Sequence, residues 1–132
     1  MSVFVDTSAL LAVLDADDQF HSRACTVWAD LLERAEDLLS TSYVLVETFA
    51  LVQHRLGMEA VRTLEEDILP VIHIHWIDET EHRAGVTALL AAGRRQLSLV
   101  DCVSFLTMRR FNLRAAFAFD RHFTEQGFEV LG

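Results

Sequence analysis

The stretch Val3-Phe4-Val5-Asp6-Thr7-Ser8 decides how this chain folds, because it predicts a strand that runs directly into a helix. A short run of β-branched and aromatic residues is typical of a buried parallel strand. Asp6, Thr7 and Ser8 are residue types that cap helices, and the apolar residues up to Leu14 continue as a helix. A strand followed at once by a helix predicts an α/β fold.

The rest of the chain repeats this alternation without any hairpin signal. The predicted strands after the first are Leu38–Ser42, Val71–Ile77, Leu113–Phe119 and Phe128–Leu131. The predicted helices are Phe20–Leu39, Tyr43–Arg55, Glu59–Ile68, a segment from the capping residue Asp78 to about Ala92, and Leu99–Arg110. Strands that alternate with helices predict a parallel sheet with helices on both faces, in a single domain over residues 1–132.

Composition excludes several classes of protein. The apolar runs are broken by charge well before eighteen residues, and the N-terminus lacks a basic region, so we expect no membrane span, no secretory signal and a cytoplasmic location. The chain has eleven arginines and no lysine, which excludes a P-loop and a Schiff-base enzyme. The net charge of −9 argues against long-range steering toward nucleic acid, although metal ions and local arginines can reverse the field at one site.

Four acidic residues stand where acid is unfavourable. Asp6 and Asp120 end strand-like apolar runs, whereas Glu47 and Asp101 lie inside apolar helical runs. A carboxylate removed from water costs several kcal/mol unless a charge or a donor meets it. Because the carboxyl ends of parallel strands share one edge of the sheet, Asp6 and Asp120 are expected at the same edge. The four acids together predict one acidic cluster.

A simpler interpretation treats three of these acids as helix caps. Asp6 precedes a helix, Asp120 could cap a short terminal turn, and Ser98 with Asp101 has the spacing of a capping box. Glu47 has no such explanation, because it lies in the middle of a helix and is surrounded by apolar neighbours. Independent caps would therefore leave Glu47 unexplained.

A cluster of carboxylates needs a countercharge, and a hard divalent cation supplies one. Mg²⁺ binds a few carboxylates, keeps several waters and takes phosphate oxygens as further ligands. Such a site is typical of metal-dependent phosphodiester hydrolysis. Arg121 and His122, which directly follow Asp120, are candidates for contacting a substrate phosphate, whereas His73 and His75 are more easily explained as packed strand residues.

The sequence resembles the PIN domain family, specifically the VapC-type toxins of bacterial and archaeal toxin–antitoxin pairs. The resemblance covers the whole chain and rests on four segments in order. These are Val3–Ser8, Glu47 in the third helix, Leu97–Asp101 and Phe117–Phe123. The resemblance implies a three-layer α/β/α sandwich with a five-stranded parallel sheet. It also implies an endoribonuclease that depends on Mg²⁺ or Mn²⁺, with Asp6 and Asp101 as the principal metal ligands and Asp120 and Glu47 completing the site.

The resemblance also implies partners and shows one departure. A VapB-type antitoxin would block the site, a homodimer is the usual assembly, and the substrate would be an RNA of unspecified kind. We expect the antitoxin to cover apolar residues of the early helices, namely Leu10, Leu14, Phe20, Trp28 and Leu51. The family often has Ser or Thr two residues before the fourth acid, where this chain has Ala118.

Two other functions compete with the nuclease. The first is a PIN-domain module that binds RNA or protein with weak or no cleavage. Such a module is expected to lack at least one of the four acids, and all four are present here. The second is a phosphatase with an aspartyl nucleophile, which requires a second Asp where this chain has Ser8 and usually a lysine. The sequence therefore favours the nuclease.

Overall fold

A computed structural model describes all residues, Met1–Gly132, and contains five strands and seven α-helices. The strands are β1 (Ser2–Val5), β2 (Asp37–Thr41), β3 (His73–His75), β4 (Ala115–Phe117) and β5 (Glu129–Leu131). The helices are α1 (Thr7–Leu14), α2 (His21–Glu33), α3 (Ser42–Leu56), α4 (Met58–Thr63), α5 (Glu79–Ala92), α6 (Leu99–Arg110) and α7 (Arg121–Glu125). None of these helices is long and apolar enough to cross a membrane.

The five strands form one parallel sheet in the order β3-β2-β1-β4-β5, which confirms the predicted fold class. The chain moves outward from β1 to β2 and β3, and then returns to the other side of β1 to form β4 and β5. Because connections between parallel strands are right-handed, this reversal places α1 to α4 on one face of the sheet and α5 to α7 on the other. The carboxyl ends of β1 and β4 therefore flank a topological switch point, where α/β sheets bind ligands.

The predicted boundaries differ from the structure most clearly in three elements. The helix predicted over Phe20–Leu39 ends at Glu33, because Ala35 adopts a φ of 52° in the left-handed region and turns the chain toward β2. The helix predicted to reach Ile68 is an α-helix only to Thr63 and continues as a π-helical turn, Leu64–Ile68, whose two end residues are both buried. The strand predicted over Val71–Ile77 is reduced to β3, an edge strand paired only with β2.

The core lies between the sheet and the helices and corrects one expectation. Leu10 and Trp28 were expected on an apolar surface for a partner, but they are only 2% and 9% exposed and belong to the core cluster. Leu14 and Leu51 are partly buried and pack against the same cluster. Of the five residues expected at that surface, only Phe20 is exposed, at 38%. The early helices therefore use most of their apolar surface to cover the sheet.

Candidate functional site

Asp6 lies at the carboxyl end of β1 and caps α1. Its side chain is buried, and its Oδ2 accepts hydrogen bonds from the backbone N–H of Ser8 at 3.1 Å and from the Ser8 hydroxyl at 2.6 Å. The Ser8 Oγ in turn accepts a hydrogen bond of 2.9 Å from the backbone N–H of Phe119, which follows β4. The two strands at the switch point are therefore joined through the hydroxyl group that holds Asp6.

Asp101 lies in the first turn of α6 and takes part in a capping box with Ser98. The Ser98 Oγ accepts a hydrogen bond from the Asp101 N–H at 3.0 Å, and the Asp101 Oδ2 accepts one from the Ser98 N–H at 3.1 Å. Asp101 is 8% exposed, so the capping box fixes a carboxylate that is almost removed from solvent. The cap predicted from the sequence is present, and it also positions the acid.

Asp120 caps the short helix α7 and contacts His122. Its Oδ1 accepts a hydrogen bond from the His122 backbone N–H at 2.9 Å and lies 3.0 Å from the His122 Nδ1. The same ring nitrogen lies 3.8 Å from the Oδ2 of Asp101. The His122 ring is buried, yet neither of its nitrogens has a hydrogen-bond partner with acceptable geometry. A buried imidazole that lies beside two carboxylates but makes no hydrogen bond indicates a site that can take a further ligand.

Glu47 projects from the middle of α3 and is half-buried rather than facing bulk solvent. Burial raises its pKa, a hydrogen bond from the Thr7 side chain lowers it, and the charges of Asp101 and Asp120 raise it. The Thr7 hydroxyl also hydrogen-bonds to a residue of α3, because its oxygen lies 3.0 Å from the hydroxyl oxygen of Thr48. The first residue of α1 is therefore joined to α3 next to Glu47.

The charges of Asp101 and Asp120 act on both Asp6 and Glu47, so the four acids lie near one another at one edge of the sheet. The pKa of Asp6 is raised to about 7. Burial is the main cause, the hydrogen bonds from Ser8 oppose it, and the charges of Asp101 and Asp120 add to it. Burial also raises the pKa of Asp101, with a further increase from Asp120. The closest group is smaller: one ligand atom each from Asp101, Asp120 and His122 lie within 4.8 Å of one another. Asp6 and Glu47 adjoin this trio without belonging to it.

The oxygen-rich donor set suits a hard divalent cation. Buried carboxylates with raised pKa values are groups that lack a countercharge, and a divalent cation would supply it. Asp101, Asp120 and His122 could hold such an ion directly, with Asp6 and Glu47 beside them. His122 departs from the expectation of a site built only from acids.

Three further residues were singled out from the sequence, and none of them belongs to the trio of Asp101, Asp120 and His122. Arg121 is exposed at the rim, where it makes only a long ion pair of 3.7 Å with Glu125. His75 bonds to Glu81 at 2.6 Å and so has a structural partner, as expected for a packed strand residue. Ala118, at the position where the resemblance leads one to expect a hydroxyl residue, is fully buried. Its side chain offers no polar group to the site.

Two hydroxyl groups have tertiary roles that no sequence pattern indicated. Ser8 and Thr7 are predicted only as capping residues, yet Ser8 joins Asp6 to Phe119 and Thr7 joins α1 to Thr48 of α3. Their bonds join segments far apart in sequence, and no local pattern records such a pairing. A hydroxyl residue directly after a strand-end acid is the one pattern that could have drawn attention to them.

Comparisons with known proteins identify the family of the chain. The pattern of the PIN domain matches residues 3–129. The chain is 30% identical to the 23S rRNA-specific endonuclease VapC20 of Mycobacterium tuberculosis over 127 residues, which cover 96% of this chain and 95% of the relative.

Solved structures give the same result. The crystal structure of Mycobacterium tuberculosis VapC20, described as a sarcin–ricin loop cleaving toxin, superposes with a TM-score of 0.84 at 29% identity, covering 96% of this chain and 95% of that one. FitAcB from Neisseria gonorrhoeae has a TM-score of 0.71 at 18% identity, covering 100% and 97%. VapBC2 from Rickettsia felis, bound to a DNA fragment from its promoter, has a TM-score of 0.70 at 13% identity, covering 98% and 97%. The last two likenesses show the fold alone.

Proposed function

This chain belongs to the PIN domain family, and we propose that it acts as a metal-dependent endoribonuclease, the toxin of a VapBC-type toxin–antitoxin pair. The observation that carries the proposal is the meeting of four acids at the switch point. Asp6 and Asp120 are helix caps, Asp101 belongs to the capping box of Ser98, and the fourth acid, Glu47, comes from the middle of a different helix. Caps alone would not require the fourth acid.

The proposed principal metal ligands are Asp6 and Asp101, with Asp120 and Glu47 completing the site. Of these four, Asp101 and Asp120 already lie in the closest donor group with His122, and Asp6 and Glu47 adjoin it. The ion proposed is Mg²⁺ or Mn²⁺, because oxygen ligands and a phosphate substrate favour hard divalent cations. When bound, such an ion supplies charge neutralisation at the phosphate and acidifies the attacking water. All four acids are present, which argues against a PIN module that binds RNA or protein without cleaving it.

The protein's own groups prepare this site for hydrolysis. Ser8 fixes Asp6 through two hydrogen bonds, and the Ser98 capping box fixes Asp101. His122 is buried against Asp101 and Asp120, so a role through these carboxylates fits its position better than a contact with an exposed phosphate. Arg121 is free to reach a phosphate at the rim.

The proposed substrate is a structured RNA. The relative from Mycobacterium tuberculosis is named for 23S rRNA and described as cleaving the sarcin–ricin loop. At 30% identity over nearly the whole chain, the same loop is the first substrate to test, beside transfer RNA and messenger RNA.

The proposed partners are a VapB-type antitoxin and a second copy of this chain. The VapBC2 structure was determined bound to a DNA fragment, as expected for a toxin held by a DNA-binding antitoxin. An antitoxin that presents an arginine to the four acids would compete with the metal for the same oxygens.

Expression in a bacterial host tests both the activity and the partner. The unmutated chain should slow growth, and co-expression of the antitoxin gene beside it should restore growth. Asp6→Ala should be harmless alone although it is produced to the same level. Purified protein should cleave ribosomal RNA in Mn²⁺ or Mg²⁺. A harmless chain that cleaves none of the three RNA classes would overturn the proposal.

A further inference from the structure

A groove of about 340 Å³ on the protein surface is lined in part by Asp120, one of the four acids. Its walls include two aromatic side chains, Phe20 and Phe119, and two arginines, Arg23 and Arg121. No bond that fixes the four acids involves either arginine or the Phe20 ring. The groove therefore differs in composition from the acidic cluster, and Asp120 belongs to both.

The aromatic side of the groove is a preformed stack. The rings of Phe20 and Phe119 lie 4.7 Å apart between centroids and 9° from parallel, and Phe119 packs edge-on against Phe117. Phe117 is fully buried and stacks on Trp28. Phe20 is thus the exposed end of a row of rings anchored in the core, and 38% of its surface remains open. A rigid exposed ring is a surface on which a nucleobase can stack.

The positive side of the groove consists of two arginines without strong partners. Arg23 makes no ion pair and no side-chain hydrogen bond, although the net charge of the chain is −9. Arg121 has only the 3.7 Å contact with Glu125, whose other carboxylate oxygen is bonded by Arg94 at 3.0 Å. Two arginines beside a metal-dependent site that lack strong partners complement the phosphates of a substrate.

We propose that this groove carries the RNA strand next to the cleaved bond, with a base stacked on Phe20 and flanking phosphates bound by Arg23 and Arg121. This inference rests on the proposed nuclease function and extends it to substrate positioning. Asp120 lines the groove, so a strand lying in it leads its backbone directly to the acids. An apolar peptide would use the rings but would leave both arginines unpaired, which favours RNA as the occupant.

Binding of a fluorescent single-stranded RNA, measured by anisotropy in Ca²⁺ with cleavage checked on a gel, tests the groove apart from catalysis. Phe20→Ala should weaken binding about tenfold, the scale of losing one stacked base. Phe20→Leu keeps apolar volume and should also weaken binding, whereas Phe20→Trp should retain it. Arg23→Gln and Arg121→Gln should each make the dependence of log Kd on log salt less steep by about one.

The chain offers matched controls for each variant. Phe111 is 41% exposed but lines a different cavity, so Phe111→Ala should leave RNA affinity unchanged. Arg62 is exposed like Arg121 and makes a comparable 3.7 Å ion pair with Glu66, so Arg62→Gln should not change the salt dependence. If the groove and control variants bind RNA equally, the groove is not the path of the strand.

Hydrolysis of bis(p-nitrophenyl) phosphate, a small phosphodiester without bases, separates this inference from the nuclease proposal. Phe20→Leu and Arg23→Gln should keep their turnover of this compound while KM for RNA rises. If the unmutated chain cleaves RNA but Phe20→Leu and Arg23→Gln leave KM unchanged, the groove inference fails and the nuclease proposal stands. If these variants lose antitoxin binding but keep RNA affinity, the groove belongs to the antitoxin, which also overturns the inference. If the unmutated chain hydrolyses neither compound, the nuclease proposal itself fails.

Discussion

The Ser8 hydroxyl donates a hydrogen bond of 2.6 Å to Asp6, the shortest polar contact that either side chain makes. Because the same oxygen accepts the N–H of Phe119, one atom joins the ends of β1 and β4 and orients a buried carboxylate between them. The fold and the candidate metal site are therefore coupled at a single side chain.

Ser8→Ala tests this coupling. The substitution removes a donor from a buried carboxylate and leaves the Phe119 N–H without its acceptor, so the free energy of unfolding should fall by about 1–3 kcal/mol. RNA cleavage should fall further than the loss of folded protein explains, because Asp6 loses its orientation. Thr87→Ala removes an exposed hydroxyl that bonds the carbonyl of Arg83 and is the control. Equal kcat for Ser8→Ala and the unmutated chain would show that the bond is only structural.

Asp101→Asn should reduce RNA cleavage at least a hundredfold, because the amide keeps the shape of the carboxylate but loses its charge. Asp78 is the N-cap residue of the capping box at the start of α5 and is exposed, so Asp78→Asn is a control for the same substitution in a capping box outside the site. Cleavage assays on both proteins, normalised to folded protein by circular dichroism, should separate them. A similar loss in both variants would assign Asp101 a capping role only.

The metal-free protein should lose stability as pH rises through the range in which Asp6 ionises. The pKa of Asp6 is about 7 when folded and 3.8 at its ordinary value, so between these values the folded state binds more protons than the unfolded state. The free energy of unfolding therefore falls with increasing pH over this window and levels off above it.

Asp6→Asn isolates that contribution. In EDTA, the variant should differ little from the unmutated chain at pH 4, where Asp6 is still largely protonated in the folded state, and should be more stable by a few degrees in Tm at pH 8. Thermal unfolding at both pH values measures the difference. A constant difference between the two proteins would show that Asp6 does not ionise in this range.

Glu47→Gln should raise the melting temperature of the metal-free protein while lowering its activity. Burial and two neighbouring acids raise the pKa of Glu47, so its charge costs folding free energy that the amide avoids. Adding Mn²⁺ should stabilise the unmutated chain more than the variant, by mass action. Glu129→Gln, an exposed residue of β5, is the control and should change neither property. A lower melting temperature for Glu47→Gln would identify Glu47 as a structural bonding partner.

The sequence predicted the sheet because its signals are local. Strand-to-helix transitions at Asp6 and Ser42, and capping boxes at Asp78 and Ser98, are each decided within a few residues. Strand lengths at the edge were less predictable, because the composition of Val71–Ile77 indicates a strand but does not show that only β2 would pair with it.

The candidate site was predictable to the extent that burial conflicts with charge. Glu47 could be singled out because no local pattern explains an acid within its apolar run. His122 was placed near a phosphate from its position after Asp120, but its inward orientation depends on how α7 packs beside α6. Trp28 was expected at a surface because the sequence does not show how much of α2 the sheet covers. Burial of that kind is decided by tertiary packing.

The most direct measurement is an analysis of RNA ends after incubation with the purified chain in Mg²⁺, Mn²⁺ or EDTA. If the four acids hold a divalent cation and water attacks the phosphate, cleavage occurs only with metal and leaves 5′-phosphate and 3′-hydroxyl ends. Cleavage that continues undiminished in EDTA, or ends that carry a 2′,3′-cyclic phosphate, would contradict this account.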